Sequence, residues 1–200
     1  MALSSRTQVI ETTYLCERTG ETINLEALVT EYRAYINNLC FSILNDEAEA
    51  EDITQETFVA ALLGLKNFRG DSNIRTWLSA IAINLCRDLM RKNKARRTLH
   101  SALQNLHLIY GSPPAPEETC LQTEIHHHLW AAINRLSEKH RLPVLLRYAH
   151  NLPTAEIALI LDLAEGTVHS RLHYARKTLQ GDLHRISLRG ANEQPVGGLP

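Results

Sequence analysis

The chain has 200 residues, 44% of them hydrophobic, with 21 basic and 22 acidic side chains and a net charge of −1. That is enough apolar material to bury a core, in one domain or two small ones. No apolar run approaches the ~20 residues that span a bilayer. Met1 to Gly20 also lack the basic patch and apolar stretch of a secretory signal, so a cytoplasmic protein without membrane insertion is expected.

The small net charge hides a segregated one. Residues 1–66 hold 4 basic and 11 acidic side chains, and residues 67–97 hold 8 basic and 2 acidic. A nucleic-acid binder needs only a local basic footprint, and an acidic half points to a basic protein partner. Cys16, Cys40, Cys86 and Cys120 form no CxxC pair. They read as reduced thiols, with Cys40 and Cys86 as small core residues.

The first 24 residues match no pattern and are taken as an N-terminal extension. Helical spacing then predicts a first helix from Leu25, Leu28, Val29, Tyr32, Ile36, Leu39 and Ile43. A second helix carries Ile53, Phe58, Ala61, Leu62 and Leu65. The acidic run Asp46 to Asp52 marks its start, where it suits the positive end of the helix dipole. Phe68 to Asn73 is a break rich in turn formers. A third helix places Ile74, Trp77, Leu78, Ile81, Leu85 and Leu89 on one face, with Arg87, Arg91, Lys92, Lys94, Arg96 and Arg97 towards its end.

Gly111 to Pro116 contains three prolines and cannot be helical. Residues 98–124 are therefore expected to be a flexible linker, with a short helix near Leu99 to Ile109. The helical pattern resumes at Ile125 with Leu129, Ile133 and Leu136, and continues through Val144, Leu145 and Tyr148. Two more helices are expected at about 154–161 and 165–180. Residues 185–200 read as a disordered tail. The fold class expected is all-α: two small helical domains, residues 25–97 and 125–184, the second a helix-turn-helix.

In that second domain Asp162-Leu163-Ala164 is a tight turn between two helices. The helix after it carries Thr167, His169, Ser170, Arg171, His173, Tyr174, Arg176 and Lys177. In a helix-turn-helix that helix enters the major groove N-terminus first, and Arg is the usual bidentate reader of guanine. Spacing alone also fits an ordinary helical hairpin with a solvated basic face. His126-His127-His128 invites a metal reading, but successive helical residues point about 100° apart and no zinc spacing accompanies them. A solvated face is the simpler reading, and no metal or cofactor is expected.

Three motifs separate these readings. Asp52-Ile53-Thr54-Gln55-Glu56-Thr57-Phe58 resembles the D-x-x-Q-E-x-F signature of bacterial sigma factors. Phe68-Arg69-Gly70-Asp71-Ser72, then Arg75-Thr76-Trp77-Leu78 and Ile81-Ala82-Ile83-Asn84, resembles a pattern of the extracytoplasmic-function group (ECF, group IV). Gly166-Thr167-Val168…Ser170-Arg171-Leu172…Ala175-Arg176 is similar to that group's C-terminal motif. The resemblance covers about residues 25–97 and 125–183. It implies a two-domain sigma factor, with regions 1.2-like and 2 in the first domain and region 4 in the second.

The resemblance assigns roles. Asp52, Gln55, Glu56 and Phe58 would dock on the clamp helices of the largest subunit of core RNA polymerase, and region 4 on the flap. Arg69, Asp71, Ser72, Asn73, Arg75, Trp77 and Asn84 would read and melt the −10 element of promoter DNA, with Arg87, Arg91 and Lys92 on phosphates. Trp77 has a second reading as a core residue, which its apolar face favours. Thr167, His169, Ser170, Arg171, His173, Tyr174, Arg176 and Lys177 would meet the −35 element. An anti-sigma factor is the implied inhibitor.

The sequence departs from the pattern in places. His169 and Tyr174 stand where relatives commonly carry Lys or Arg. Pro153 replaces the usual Ser cap, so Glu156 has no capping box to close. An autonomous DNA-binding regulator would leave the two N-terminal motifs without a role. An enzyme is unsupported, because no nucleophile–base spacing, phosphate loop or paired carboxylate site is present and no catalytic residue can be named.

Overall fold

A computed structural model of the chain describes residues 13–15, 22–104 and 129–192, and the side chains of residues 13, 22–96 and 129–182. The chain divides into two compact units, Met1–Thr98 and Leu99–Pro200. Both are helical, as the sequence predicts. Among the described residues no helix is long and apolar enough to cross a membrane.

The first unit opens with a feature that periodicity missed. Strands β1 (Thr13–Leu15) and β2 (Thr22–Asn24) pair antiparallel, Thr13 opposite Asn24. Asn24 also caps the next helix: its Oδ1 accepts the Ala27 N–H at 3.2 Å. Helix α1 (Leu25–Leu44) ends at Asn45, which takes the left-handed conformation (φ 55°) and donates its N–H to the Phe41 carbonyl.

Helix α2 (Glu47–Gly64) starts where the acidic run indicates. Asp46 is its N-cap, with Oδ1 accepting the Glu49 N–H at 2.9 Å. Asp46→Ala is expected to cost about 1 kcal/mol of stability, read as a lower denaturant midpoint at unchanged m-value. One face of α2 is buried through Ala50, Ile53, Thr54, Thr57, Phe58 and Ala61. The two threonines can be buried because each hydroxyl donates back to a carbonyl one turn earlier, Thr54 to Ala50 and Thr57 to Ile53, both at 2.7 Å.

Helix α3 (Ile74–Gln104) runs past Arg97, where the linker was expected to begin. Residues 98–104 contain no Gly or Pro, so nothing stops the helix there. Its buried stripe is Leu78, Ala82, Ile83 and Cys86, whereas Ile81 and Leu85 of the expected face are only half-buried. Small Cys86 brings α3 against α1, where its thiol meets that of Cys40. The Cys40 and Cys86 thiols are both buried; their mutual hydrogen bond and the burial push the Cys86 thiol up.

In the second unit, α4 (described over 129–135) leads into α5 (Glu138–Val144). Pro143 lies inside α5. It removes an N–H and crowds the preceding turn, and a wider π-helical turn follows at Leu145–Ala149. The Leu152 carbonyl beyond it accepts from Arg147 Nη1 at 3.0 Å. Helices α6 (Thr154–Leu161) and α7 (Glu165–Asn192) complete the unit. The core is Leu142, Leu145, Leu146, Leu152, Ile157, Leu161, Val168, Leu172 and Ala175 with Ala132 and Ile133 of α4. The expected end of this domain at 184 and the tail from 185 are overtaken by α7, whose backbone stays helical to Asn192. His126 to His128, Cys16, Cys120 and residues 105–124 of the expected linker lie outside the described residues.

Candidate protein and nucleic-acid interfaces

The outer face of α2 follows helical steps from Asp52 through Gln55, Glu56, Val59 and Leu63. All five are exposed, Val59 by 59% and Leu63 by 70%. With Ala60, and with Leu85 of α3, they line an open groove of about 520 Å³. Acidic groups at one end and bare aliphatic groups at the other suit a basic partner that also brings apolar surface. Gln55 leans on its neighbour, donating to Glu51 at 3.2 Å; Arg33 holds that same carboxylate at 2.6 Å and keeps it below the usual carboxylate range.

Phe58 does not belong to this face. It is 8% exposed and packs inward, because it lies one helical turn from Thr54 and from Ala61 on the buried side. The resemblance puts Phe58 with the docking residues, and its burial gives it a packing role in this structure. Val59 and Leu63 were missed, although continuing the spacing from Asp52 by two and three turns finds them.

The second surface starts at the turn between α2 and α3. Gly70 takes φ 72°, a conformation that favours glycine. Arg69 and Asp71 are exposed and Ser72 half-buried. Asn73 works as a cap: its Oδ1 accepts the Thr76 N–H at 2.7 Å, so that oxygen is committed to starting α3. Arg75 is half-buried with its guanidinium 4.5 Å from the centre of the Tyr35 ring, a packing contact between α3 and α1. Trp77 packs against Phe68, ring centres 5.1 Å apart, and over Gly64 at the end of α2, where a Cβ would lie 3.3 Å from Cζ2. It is half-buried, with its ring packed between Phe68 and Gly64.

Further along α3, Asn84 and Lys92 are exposed and Arg87 is half-buried. Arg91 is exposed and ion-paired with Asp88. Lys94 and Arg96 extend the basic run. Asn93 points the other way, donating to Glu49 Oε1 at 2.9 Å and tying α3 to the start of α2.

The third surface is the α6–turn–α7 unit. Asp162 turns the corner in the left-handed conformation (φ 53°), and the Leu163 N–H reaches back to the Ala158 carbonyl at 2.9 Å. Short polar side chains tolerate this conformation and β-branched ones do not. Asp162→Val is therefore expected to cost about 1–2 kcal/mol, measured by urea unfolding. Pro153 stands at the start of α6 without a side-chain cap, as expected. Thr154 instead donates to Glu165 Oε1 at 2.7 Å, which joins the starts of α6 and α7.

Val168, Leu172 and Ala175 anchor α7 in the core. That leaves His169, Ser170, His173, Arg176 and Lys177 exposed and Thr167 and Arg171 half-buried. The Ser170 hydroxyl donates to the Thr167 carbonyl at 2.9 Å, and His169 Nε2 lies 3.8 Å from Glu165. Tyr174, 55% exposed, stacks on His140 of α5 with ring centres 4.4 Å apart. His140 was not foreseen, since nothing in its local sequence marks it. Among the described residues no group of His, Cys, Asp and Glu could hold a metal ion.

Comparison with known proteins agrees with this arrangement. Residues 28–96 match the Sigma-70 region 2 family, and residues 126–179 match Sigma-70 region 4. The chain is 32% identical over 165 residues to the ECF RNA polymerase sigma factor SigW of Bacillus subtilis, covering 80% of this chain and 88% of that one. It is 32% identical over 172 residues to the ECF sigma factor SigL of Mycobacterium tuberculosis, covering 84% and 94%. Among solved structures it is similar to the sigma factor RpoE of Bartonella quintana, crystallised with the anti-sigma factor NepR. That likeness has a TM-score of 0.60 at 26% identity, covering 80% of this chain and 96% of the other. The families matched are not enzymes. Two sigma-70 regions in order, the second a DNA-binding helix-turn-helix for transcription initiation, make this chain a member of the ECF RNA polymerase sigma factors.

Proposed function

We propose that the chain binds core RNA polymerase through the α2 face and directs it to promoters by reading a −10 element with the first unit and a −35 element with the second. The observation that carries this reading is the exposed stripe Asp52, Gln55, Glu56, Val59 and Leu63, whose acidic and aliphatic side chains lie on the face of α2 opposite the core. Docking of region 4 on the polymerase flap belongs to the same reading, and so does a cytoplasmic site of action.

At the −10 element, the turn from Arg69 to Ser72 offers hydrogen bonds to a base taken out of the stack, a step that costs a few kcal/mol in the duplex. Asn84 follows on α3 as a base reader. Arg87, Arg91 and Lys92 supply sequence-independent phosphate attraction. Asn73, Arg75 and Trp77 shape this surface by capping and packing. At the −35 element, Arg171 or Arg176 reads guanine, with Thr167, His169, Ser170, His173 and Lys177 beside them.

Control by an anti-sigma factor is the remaining part of the proposal. It is supported by the likeness to a sigma factor that was crystallised with one. Affinity capture from cells with the full chain as bait tests it. An inhibitory partner is expected, and constitutive activity with no such partner would count against it.

Equilibrium binding of a promoter fragment by the protein alone and with core polymerase tests the main reading. Tight, specific binding is expected only with core present. Specific duplex binding of the same strength by the protein alone would favour an autonomous regulator.

A further inference from the structure

His140 belongs to α5, yet its imidazole lies against α7, stacked on Tyr174 with the ring planes 23° apart. Ser137 holds its other edge, the hydroxyl 3.0 Å from Nδ1. Ring plane and orientation are thus fixed, and among the described residues no group is hydrogen-bonded to Nε2. Tyr174 continues the helical stripe of Thr167 and Arg171, at steps of four and three residues. Position 140 is therefore joined directly to the half of α7 that faces DNA in the reading above.

The surroundings of this ring are cationic. Burial, Lys139 and Arg171 all hold the His140 imidazole below its ordinary value. Lys139 comes from α5 and Arg171 from α7. Of the acidic groups on these helices, the Glu138 charge bears on Arg141, and Asp182 of α7 lies 4.0 Å from Arg135 of α4. Burial and the two cations disfavour the imidazolium form of His140. An anion there would be attracted by both cations, and its oxygen would accept a hydrogen bond from Nε2–H, which favours the imidazolium.

We propose that Lys139, His140 and Arg171 form a seat for one backbone phosphate of promoter DNA, extending the −35 footprint from α7 onto α5, and that His140 takes up a proton when the phosphate binds. The proposal rests on the promoter-binding reading of α7. The sign follows from the cluster. Free His140 titrates below its usual value, and a phosphate beside it raises that value. Binding therefore takes up a proton and tightens as pH falls.

The test uses holoenzyme of the full chain with core polymerase and two promoter fragments, one intact and one truncated so that it lacks the −35 segment. Binding is measured from about pH 6 to about pH 8.5, the range in which histidine switches. His169 and His173 are also exposed on α7, so the decisive reading is the difference between variants. For the wild type, the advantage of the intact fragment is expected to be about 3- to 10-fold larger at the acid end, a modest proton linkage. His140→Phe keeps an aromatic stack without a titrating proton and should flatten that profile; His140→Gln serves as a second, smaller variant. Lys139→Gln should lower the slope of log affinity against log salt by about 1.

A wild-type pH profile in both His140 variants, or an unchanged salt slope in Lys139→Gln, would overturn the phosphate seat. A wild-type holoenzyme that does not distinguish the two fragments at any pH would instead sink the −35 reading itself, and the seat with it.

Discussion

Reversing charge at Asp52 and Glu56 together, as Asp52→Lys with Glu56→Lys, is expected to remove core-polymerase binding and lower promoter-directed transcription by about 100-fold or more. Both carboxylates are exposed on one face of α2 and face away from its buried side. Like charges brought together across an interface cost several kcal/mol, and about 2.7 kcal/mol already amounts to 100-fold. Their reversal leaves the core untouched, so the unfolding free energy should change by no more than about 0.5 kcal/mol, the usual range for surface changes. Competition binding to core polymerase and chemical denaturation check the two halves of this result. A double variant that binds core as the wild type does would show that the α2 face is not the docking surface.

Phe58→Ala is expected to behave in the opposite way. Its ring is 8% exposed and lies on the buried side of α2 with Thr54 and Ala61. Truncation of a buried Phe costs about 3–5 kcal/mol, through lost transfer energy and the cavity left behind. Marginal domains hold about 5–15 kcal/mol in all, so partial unfolding near physiological temperature is the expected outcome. Phe58→Leu restores most of the volume and should recover both fold and polymerase binding. Strong loss of binding in Phe58→Leu at near wild-type stability would return Phe58 to the interface.

These two variants show what a motif does and does not reveal. Asp52, Gln55, Glu56 and Phe58 sit in one short signature, yet helical phase sends the first three outward and Phe58 inward. The same phase, continued, brings Val59 and Leu63 onto the outer face. Local signals elsewhere were direct. The Asp46 cap set the start of α2, and Asp162 between two apolar helices set the corner of the helix-turn-helix.

Other features left little trace in the sequence. Strands of three residues, such as β1 and β2, are too short for alternation to stand out. Helix α3 continues to Gln104 because no Gly or Pro stops it, and α7 to Asn192 because lone glycines such as Gly181 and Gly190 weaken a helix without ending it. Three residues of the expected −10 surface have structural work: Asn73 caps, Arg75 covers Tyr35, and Trp77 closes over Gly64. The His140–Tyr174 stack joins residues 34 positions apart, and no local pattern encodes such a contact.

The central claim is that this chain confers promoter specificity on core RNA polymerase. Runoff transcription from a genomic promoter library, with purified core and with or without the protein, tests it most directly. The account predicts discrete new start sites that depend on the protein and vanish with Asp52→Lys/Glu56→Lys. An unchanged set of transcripts, together with tight sequence-specific duplex binding by the protein alone, would contradict it.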